Sequence, residues 1–128
     1  GRAIVHCLLN HGHEVTLVHR GKTNPGLFPG AHEIIADRFD LTPESWGGET
    51  YDAVIDVCGY VPRALRIATE ALAGRAKHYV FISTISVYDV LQCGDTISEE
   101  DAVITLEDPT VEVINGETYG GLKALCEG

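Results

Sequence analysis

Residues 51–83, YDAVIDVCGYVPRALRIATEALAGRAKHYVFIS, decide the fold because they contain a strand, a helix and a second strand in succession. The segment YDAVIDVCGY is nearly continuous in apolar residues, which is typical of a strand buried on both faces of a sheet. Pro62 near the start and Gly74 at the end delimit a helix with an apolar stripe. The run HYVFISTISVY predicts the second buried strand. Two strands joined through a helix predict a parallel pair.

The same alternation of helix and strand extends along the rest of the chain. Residues 2–12 carry an apolar stripe at helical spacing, EVTLVHR predicts a strand over 15–19, and HEIIAD predicts another. LTPESW indicates a brief helical turn with Thr42 as its cap. Residues 89–117 have no clear period and predict a long loop with at most one short helix, before a last helix in TYGGLKALCE. This order predicts an α/β chain with a parallel sheet flanked by helices on both sides.

The charge of the chain is concentrated in one segment. The net charge is −10, yet residues 85–117 hold nine acidic residues and no lysine or arginine, while the remainder is nearly neutral. We interpret this segment as a solvated acidic loop. A phosphate backbone needs a basic face, so the charge argues against nucleic acid as a partner.

Length and composition limit the chain further. At 128 residues it predicts one domain with a real core. It holds no apolar run of about 18 residues and no basic-then-apolar start, so neither a membrane span nor a signal peptide is predicted. The four cysteines and six histidines are scattered, without CxxC or zinc-like spacing. This pattern predicts a reduced, cytoplasmic setting and no metal site.

The carboxyl ends of the predicted strands are the candidate ligand site, because ligands of such sheets bind just outside those ends. Each end is polar or contains glycine, and such residues can line a crevice that binds a ligand. The alternative is that these residues are polar only because every strand ends at polar residues. The ends are His19 with Arg20, Asp37 with Arg38, Cys58 with Gly59 and Tyr60, and Ser83 with Thr84.

Tyr119 and Lys123 lie four residues apart near the end of the chain. Positions i and i+4 share one face of a helix, so the two side chains can meet. A nearby ammonium stabilises a phenolate and lowers the pKa of a phenol from its usual value of about 10, and such a phenol can exchange a proton with a substrate oxygen. The alternative is a pair on the helix surface. Gly120 and Gly121 favour that alternative, because glycine in a helix interior is less favourable than alanine by about 1 kcal/mol per residue.

Three stretches taken together, DAVIDVCGY, HYVFISTISVY and TYGGLKALCE, resemble the extended short-chain dehydrogenase/reductase family, the NAD-dependent epimerase/dehydratase group. The resemblance runs over essentially the whole chain and implies a Rossmann-like, doubly wound parallel sheet. It implies that Tyr119 and Lys123 form a catalytic Tyr-x-x-x-Lys pair, which works with a hydroxyl at the end of the preceding core strand. Thr84 matches that hydroxyl, and Ser83 is the adjacent candidate.

The resemblance also implies NADP or NAD as cofactor, a dinucleotide that accepts or supplies hydride. An acid after the second strand of the family binds the NAD ribose, whereas this chain has Arg20 and Lys22 there, which favours NADP. An exposed basic turn is the alternative. The implied cofactor-binding set is Gly1 in the glycine-rich turn, Arg20 and Lys22 beside the ribose, Asp37 and Arg38 beside the adenine, Cys58 and Gly59 against the cofactor, and Tyr119 with Lys123.

The resemblance implies that the chain lacks segments of the family at both of its ends. Gly1 matches the last glycine of the glycine-rich turn, so the first strand and most of that turn are absent, and the sequence contains no methionine. The C-terminal substrate-binding part is absent as well. We therefore expect residues 1–128 to be a partial NAD(P)-binding domain. The missing strand belongs between the strands at about 15–19 and 53–58, so the isolated chain should be poorly stable or self-associate.

The function that the resemblance implies is an NAD(P)-dependent oxidoreductase, epimerase or dehydratase, acting on a nucleotide-linked sugar or a similar hydroxyl or carbonyl substrate. The fragment alone is expected to be inactive. The alternative is a non-catalytic dinucleotide-binding module, a sensor or scaffold, against which the intact Thr84, Tyr119 and Lys123 argue. RNA binding by a relative of this family is disfavoured by the acidic charge. The expected partner is a small-molecule substrate, with a homodimer as an option and with neither nucleic acid nor membrane.

Overall fold

A computed structural model of the protein describes residues 1–89 and 96–128 as a mixed α/β chain. Cys93 and Asp95, one of the scattered cysteines and one acid of the charged loop, lie outside the described residues. The helices are α1 (Arg2–Asn10), α2 (Pro62–Ala71) and α3 (Tyr119–Glu127), and the strands are β1 (Thr16–His19), β2 (His32–Ile35), β3 (Val54–Asp56) and β4 (Tyr79–Phe81). Short 3-10 helices cover Arg38–Asp40, Pro43–Trp46 and Ile85–Val87.

The strands pair in parallel, as their alternation with helices predicts. β1 pairs with β2 with Thr16 opposite His32, and β3 pairs with β4 with Val54 opposite Tyr79. Within residues 1–89 and 96–128 these are two separate two-stranded sheets, so β1 and β3 each pair along one edge only. The described architecture is therefore α/β with short parallel pairs, and not one continuous sheet.

Two compact units divide the chain. Unit 1 comprises Gly1–Thr50 and Ile67–Arg75, and unit 2 comprises Tyr51–Arg66 and Ala76–Gly128. The first parallel pair, β1 and β2, belongs to unit 1, and the second pair, β3 and β4, belongs to unit 2.

In unit 1, the helix α1 presents the stripe that the sequence predicts. Its half-buried residues are Ile4, Val5, Leu8 and Leu9, and every other residue of the helix is exposed. The ring of His6 meets the buried Phe28 edge-on, with 5.0 Å between ring centroids. Thr42 caps the helix Pro43–Trp46 through a reciprocal pair of bonds with Ser45, which confirms the predicted turn.

In unit 2, the core joins the start of α2 to α3. Val61, Ala64 and the fully buried Leu122 form one cluster, against which Leu106 and Val111 pack. The long segment after residue 95 is therefore not a purely solvated loop, because two of its apolar side chains cover this cluster. An acidic residue directly follows each of these two apolar residues in the sequence, so the charge pattern alone concealed the packing role.

The predicted strands of unit 2 are shorter than their apolar runs. β3 ends at Asp56, whose carboxylate accepts a hydrogen bond from the backbone N–H of Cys58 at 3.0 Å and bends the chain. β4 ends at Phe81, and the rest of HYVFISTISVY forms a loop and a 3-10 helix. The expectation of strands buried on both faces is wrong for Val54 and Ile55, which are half-buried.

Candidate functional site

The carboxyl ends of β3 and β4 meet at Lys123. This side chain, in the second turn of α3, is only 2% exposed. Its Nζ atom donates to the carbonyl oxygen of Gly59 at 2.9 Å and to that of Ile82 at 2.7 Å. Burying an ammonium is unfavourable unless hydrogen bonds replace its water, and these two carbonyls provide such bonds. The predicted alternative of a surface helix pair is therefore wrong for Lys123.

Aromatic rings surround the same ammonium. Nζ of Lys123 lies 3.9 Å from the ring centroid of Phe81 and 5.8 Å from that of Tyr60. Both distances fall within the range of cation–π attraction. The ring of Tyr60 lies 6.4 Å from the ring of Tyr119 at an angle of 44°. Tyr119 is half-buried, one helical turn before Lys123, so unit 2 brings the predicted pair into one aromatic-walled site.

Gly120 and Gly121, which seemed unfavourable for a helix, allow α3 to approach its neighbours closely. A Cβ atom on Gly120 would overlap the backbone carbonyl oxygen of Ser86. A Cβ atom on Gly121 would lie 2.5 Å from the side chain of Leu106. Real Cβ atoms do not approach a backbone oxygen so closely, so position 120 requires glycine, whereas a side chain at position 121 would require the Leu106 side chain to move. The conformational disadvantage of the glycines is thus offset by packing that places Tyr119 and Lys123 beside β3 and β4.

Thr84 and Ser83 differ in what their hydroxyls do. Oγ1 of Thr84 accepts from the backbone N–H of Ser86 at 3.2 Å and lies 3.3 Å from the Ser86 hydroxyl, so it caps the helix Ile85–Val87. Oγ of Ser83 is buried and has no hydrogen-bond partner among residues 1–89 and 96–128. Buried hydroxyls are normally bonded. Ser83 is therefore a stronger candidate for the hydroxyl that binds a ligand oxygen, in place of Thr84, than its sequence position suggests.

The predicted cofactor residues of unit 2 lie in the turn after β3. Cys58 is exposed, and Gly59 is buried. A Cβ atom on Gly59 would lie 2.8 Å from the ring of Phe81 and would overlap Leu65, so a side chain there would require both neighbours to move. This turn also supplies one of the two carbonyls that hold Lys123. Unit 2 therefore brings Cys58, Gly59 and the Tyr119–Lys123 pair together.

The predicted cofactor residues of unit 1 are mostly exposed and bonded locally. Gly1, Arg20 and Lys22 are exposed, and Arg20 and Lys22 lie in the turn after β1. Asp37 accepts from the backbone N–H of Phe39 at 3.1 Å and caps the helix Arg38–Asp40. Arg38 is half-buried within that helix.

Sequence reasoning missed a cavity of about 180 Å³ in unit 1. Nδ1 of His19 accepts from the backbone N–H of Gly21 at 3.0 Å, and its Nε2 lies 3.6 Å from a carboxylate oxygen of Glu33. That oxygen also accepts from the backbone N–H of Gly26 at 2.9 Å. The period of β1 was the signal that could have revealed this wall, since Leu17 and His19 share one face. The lining residues are Arg2, Leu17, His19, Thr23, Asn24, Leu27, Phe28 and Glu33.

An ion pair links the segment 96–117 to α2. Nε of Arg63 donates to Oε1 of Glu112 at 2.7 Å, and its Nη2 donates to Oε2 at 2.8 Å. These hydrogen bonds lower the pKa of Glu112 and raise the pKa of Arg63. Val111, beside Glu112, packs on the core cluster, so the pair reinforces a contact already made by apolar burial.

Comparison with known proteins gives no relative: no family model, no curated protein and no solved structure matches this chain. No helix in the described part of the chain is long and apolar enough to cross a membrane. Nor do three histidine, cysteine or carboxylate side chains within residues 1–89 and 96–128 gather into a group able to hold a metal ion.

Proposed function

We propose that this chain is the cofactor-binding part of an NAD(P)-dependent oxidoreductase, epimerase or dehydratase of the extended short-chain dehydrogenase/reductase family. The observation that carries the proposal is Lys123, a buried ammonium at the carboxyl ends of two parallel strands and one helical turn after Tyr119. In this proposal the two parallel pairs belong to a Rossmann-like, doubly wound sheet. The substrate is a nucleotide-linked sugar or another small hydroxyl or carbonyl compound.

In the proposed reaction, the phenol of Tyr119 exchanges a proton with the substrate oxygen. Lys123 acts through its fixed positive charge, since its ammonium is held by the Gly59 and Ile82 carbonyls. The hydroxyl of Thr84 or Ser83 holds the same substrate oxygen. The hydride chemistry would come from the nicotinamide of a bound cofactor.

The residues of unit 1 fit one end of a dinucleotide. The cavity has apolar walls in Leu17, Leu27 and Phe28, which suit a flat base, and polar groups in Arg2 and Glu33, which suit a ribose or phosphate. At about 180 Å³ it is smaller than the ~300–1,000 Å³ of a complete cofactor site, so it would hold only part of the molecule. The exposed Arg20 and Lys22 favour NADP over NAD in this proposal.

A thermal melt of the chain with NADP⁺, with NAD⁺ and with neither tests the proposal. A ligand present at 100 times its dissociation constant should stabilise the folded state by about 2.7 kcal/mol. We expect a larger shift with NADP⁺, and we expect Arg20→Gln to reduce that shift while it leaves the NAD⁺ shift unchanged. The absence of any shift, in a chain that still melts cooperatively, would contradict the proposed cofactor.

The catalytic assignment needs its own test, in the longer enzyme of which we propose the chain is a part. Tyr119→Phe should abolish turnover there while cofactor binding persists. Ser83→Ala and Thr84→Val form a matched pair, and the variant with the larger loss of kcat identifies the hydroxyl that touches the substrate. Unchanged turnover in Tyr119→Phe would remove Tyr119 from the mechanism.

A non-catalytic dinucleotide-binding module is the second candidate. The observation in its favour is that the Lys123 ammonium bonds two backbone carbonyls, as a purely structural tie would. Such a module would show the cofactor-dependent shift in melting without any turnover in the longer protein. In either case we propose a cytoplasmic protein, because the four cysteines are scattered without CxxC or zinc-like spacing.

A further inference from the structure

Two charged side chains are buried in the described part of the chain, Asp56 and Lys123, and they carry opposite charges. Both belong to unit 2. Removing a carboxylate from water is unfavourable unless hydrogen bonds compensate it. Lys123 already has a role in the proposed function, whereas Asp56 has none. The burial of Asp56 therefore needs its own explanation.

Asp56 fixes the carboxyl ends of β3 and β4 through three hydrogen bonds. Its Oδ1 atom accepts from the backbone N–H of Cys58 at 3.0 Å, and its Oδ2 atom accepts from the hydroxyl of Tyr79 at 2.8 Å. Its backbone carbonyl accepts from the N–H of Ile82 at 2.9 Å. The side chain thus holds the turn after β3, and the main chain holds the residue that follows β4.

The groups that Asp56 holds are the neighbours of those that bind Lys123. Gly59, which directly follows Cys58, offers one carbonyl to the ammonium at 2.9 Å. Ile82, whose N–H bonds Asp56, offers the other at 2.7 Å. Asp56, the 58–59 turn, Lys123 and Ile82 therefore form a closed ring of hydrogen bonds and covalent links. A change in the direction of the turn would move the Gly59 carbonyl away from the ammonium.

We propose that Asp56 is a positioning residue that sets the place of the Lys123 ammonium, and through it the Tyr119–Lys123 pair. The part concerning proton transfer rests on the proposed function of that pair, whereas the effect on Lys123 is independent of it. Asp56 acts by fixing two backbone carbonyls and does not touch the substrate.

Lysine side-chain NMR of the whole chain tests this role directly. The chain has three lysines, and Lys22 and Lys77 are exposed, so their ammonium hydrogens exchange rapidly with water. Lys123, buried and bonded to two carbonyls, should give the one protected ammonium signal, which Lys123→Met should remove. Asp56→Ala is then compared with Ile55→Ala, a truncation in the same strand that leaves the 56–59 turn intact. Far-UV circular dichroism verifies folding of each variant.

We expect the protected signal to disappear in folded Asp56→Ala and to persist in Ile55→Ala. If Asp56→Ala fails to fold, Asp56→Asn provides the test. Asparagine preserves the shape of the side chain and one acceptor oxygen but alters the hydrogen bond with Tyr79. Ammonium exchange at Lys123 should then become several-fold faster. An unchanged Lys123 signal in whichever Asp56 variant folds, or an equal loss in Ile55→Ala, would overturn the proposal. Because no cofactor is present in this experiment, failure of the proposed function leaves its result unaffected.

Discussion

The carboxyl ends of the two parallel pairs differ in how their polar residues are held. At the end of β3 and β4, Lys123 is buried and bonded to carbonyls 64 and 41 residues away in the sequence. At the end of β1, Arg20 and Lys22 are exposed, and His19 bonds the backbone only two residues on. A polar group at a strand end is buried only where another element packs over it. In unit 2 that element is α3, which its glycine pair allows to approach closely.

The largest effect should come from Lys123→Met. This change keeps the apolar stem but removes the donor, and the buried Gly59 carbonyl left without that bond is unfavourable by about 1–3 kcal/mol. Lys22→Met is the matched control, because Lys22 is exposed and its replacement should change stability by less than about 0.5 kcal/mol. Urea unfolding measures both. Equal losses in the two variants would remove the difference between the two strand ends.

Gly120→Ala should rank second. The added methyl group would overlap the Ser86 carbonyl, and such overpacking destabilises by about 1–3 kcal/mol, although alanine is the better helix former. Gly116→Ala is the control, since a Cβ atom there would meet nothing within 4 Å. A Gly120→Ala variant as stable as the parent in urea would show that α3 does not pack on the helix Ile85–Val87 as described.

In unit 1, the comparable test is Glu33→Ala. Loss of the bond from the Gly26 N–H should destabilise the chain by only about 0.5–1.5 kcal/mol, because the group is partly solvated. Amide hydrogen exchange at Gly26 should accelerate, and Glu33→Gln, which retains an acceptor oxygen, should restore most of the protection. A loss of stability as large as that of Lys123→Met would mean that the polar groups at the two strand ends contribute equally to stability.

The smallest effect concerns the ion pair of Arg63 and Glu112. Hydrogen bonding to Arg63 lowers the pKa of Glu112 below its ordinary 4.5, so the stabilising contribution is present above that pH and is lost as the pH falls through the lower folded value. The melting temperature should fall slightly more in the parent than in Glu112→Gln between about pH 5 and pH 3. The pair is exposed, so salt should diminish the difference. Equal falls in the parent and in Glu112→Gln would contradict the contribution assigned to the pair.

Local patterns in the sequence were enough to predict most elements. The stripe of α1, the turn capped by Thr42 and the helix opened by Pro62 depend on contacts within a few residues, and all three are confirmed. The lengths of β3 and β4 were not predictable in this way. Their apolar runs continue past the strands, and the side-chain bond from Asp56 to the Cys58 N–H accompanies the end of β3.

The candidate site was predicted in composition but not in arrangement. Spacing placed Tyr119 and Lys123 on one helix face but by itself favoured a surface pair, and the family resemblance of the upstream stretches made the two residues a candidate pair. The glycines between them favoured the surface pair, because helix propensity depends on the local sequence alone. It does not include the close contacts of these glycines with Ser86 and Leu106, which are distant in the sequence. Glu33 and Asp56 gave no signal, since a carboxylate in a strand does not reveal which backbone N–H it will bond.

The sequence by itself determined the alternation of strands and helices and the parallel pairing, and it supplied the candidate residues for proton transfer, because periodicity and side-chain chemistry are local properties. Only the tertiary structure decided that Lys123 is buried, that the buried Ser83 hydroxyl has no partner among the described residues, and that a cavity lies beside His19. The reason is physical: burial and hydrogen bonding of a polar group depend on atoms contributed by distant parts of the chain, and those atoms come together only on folding.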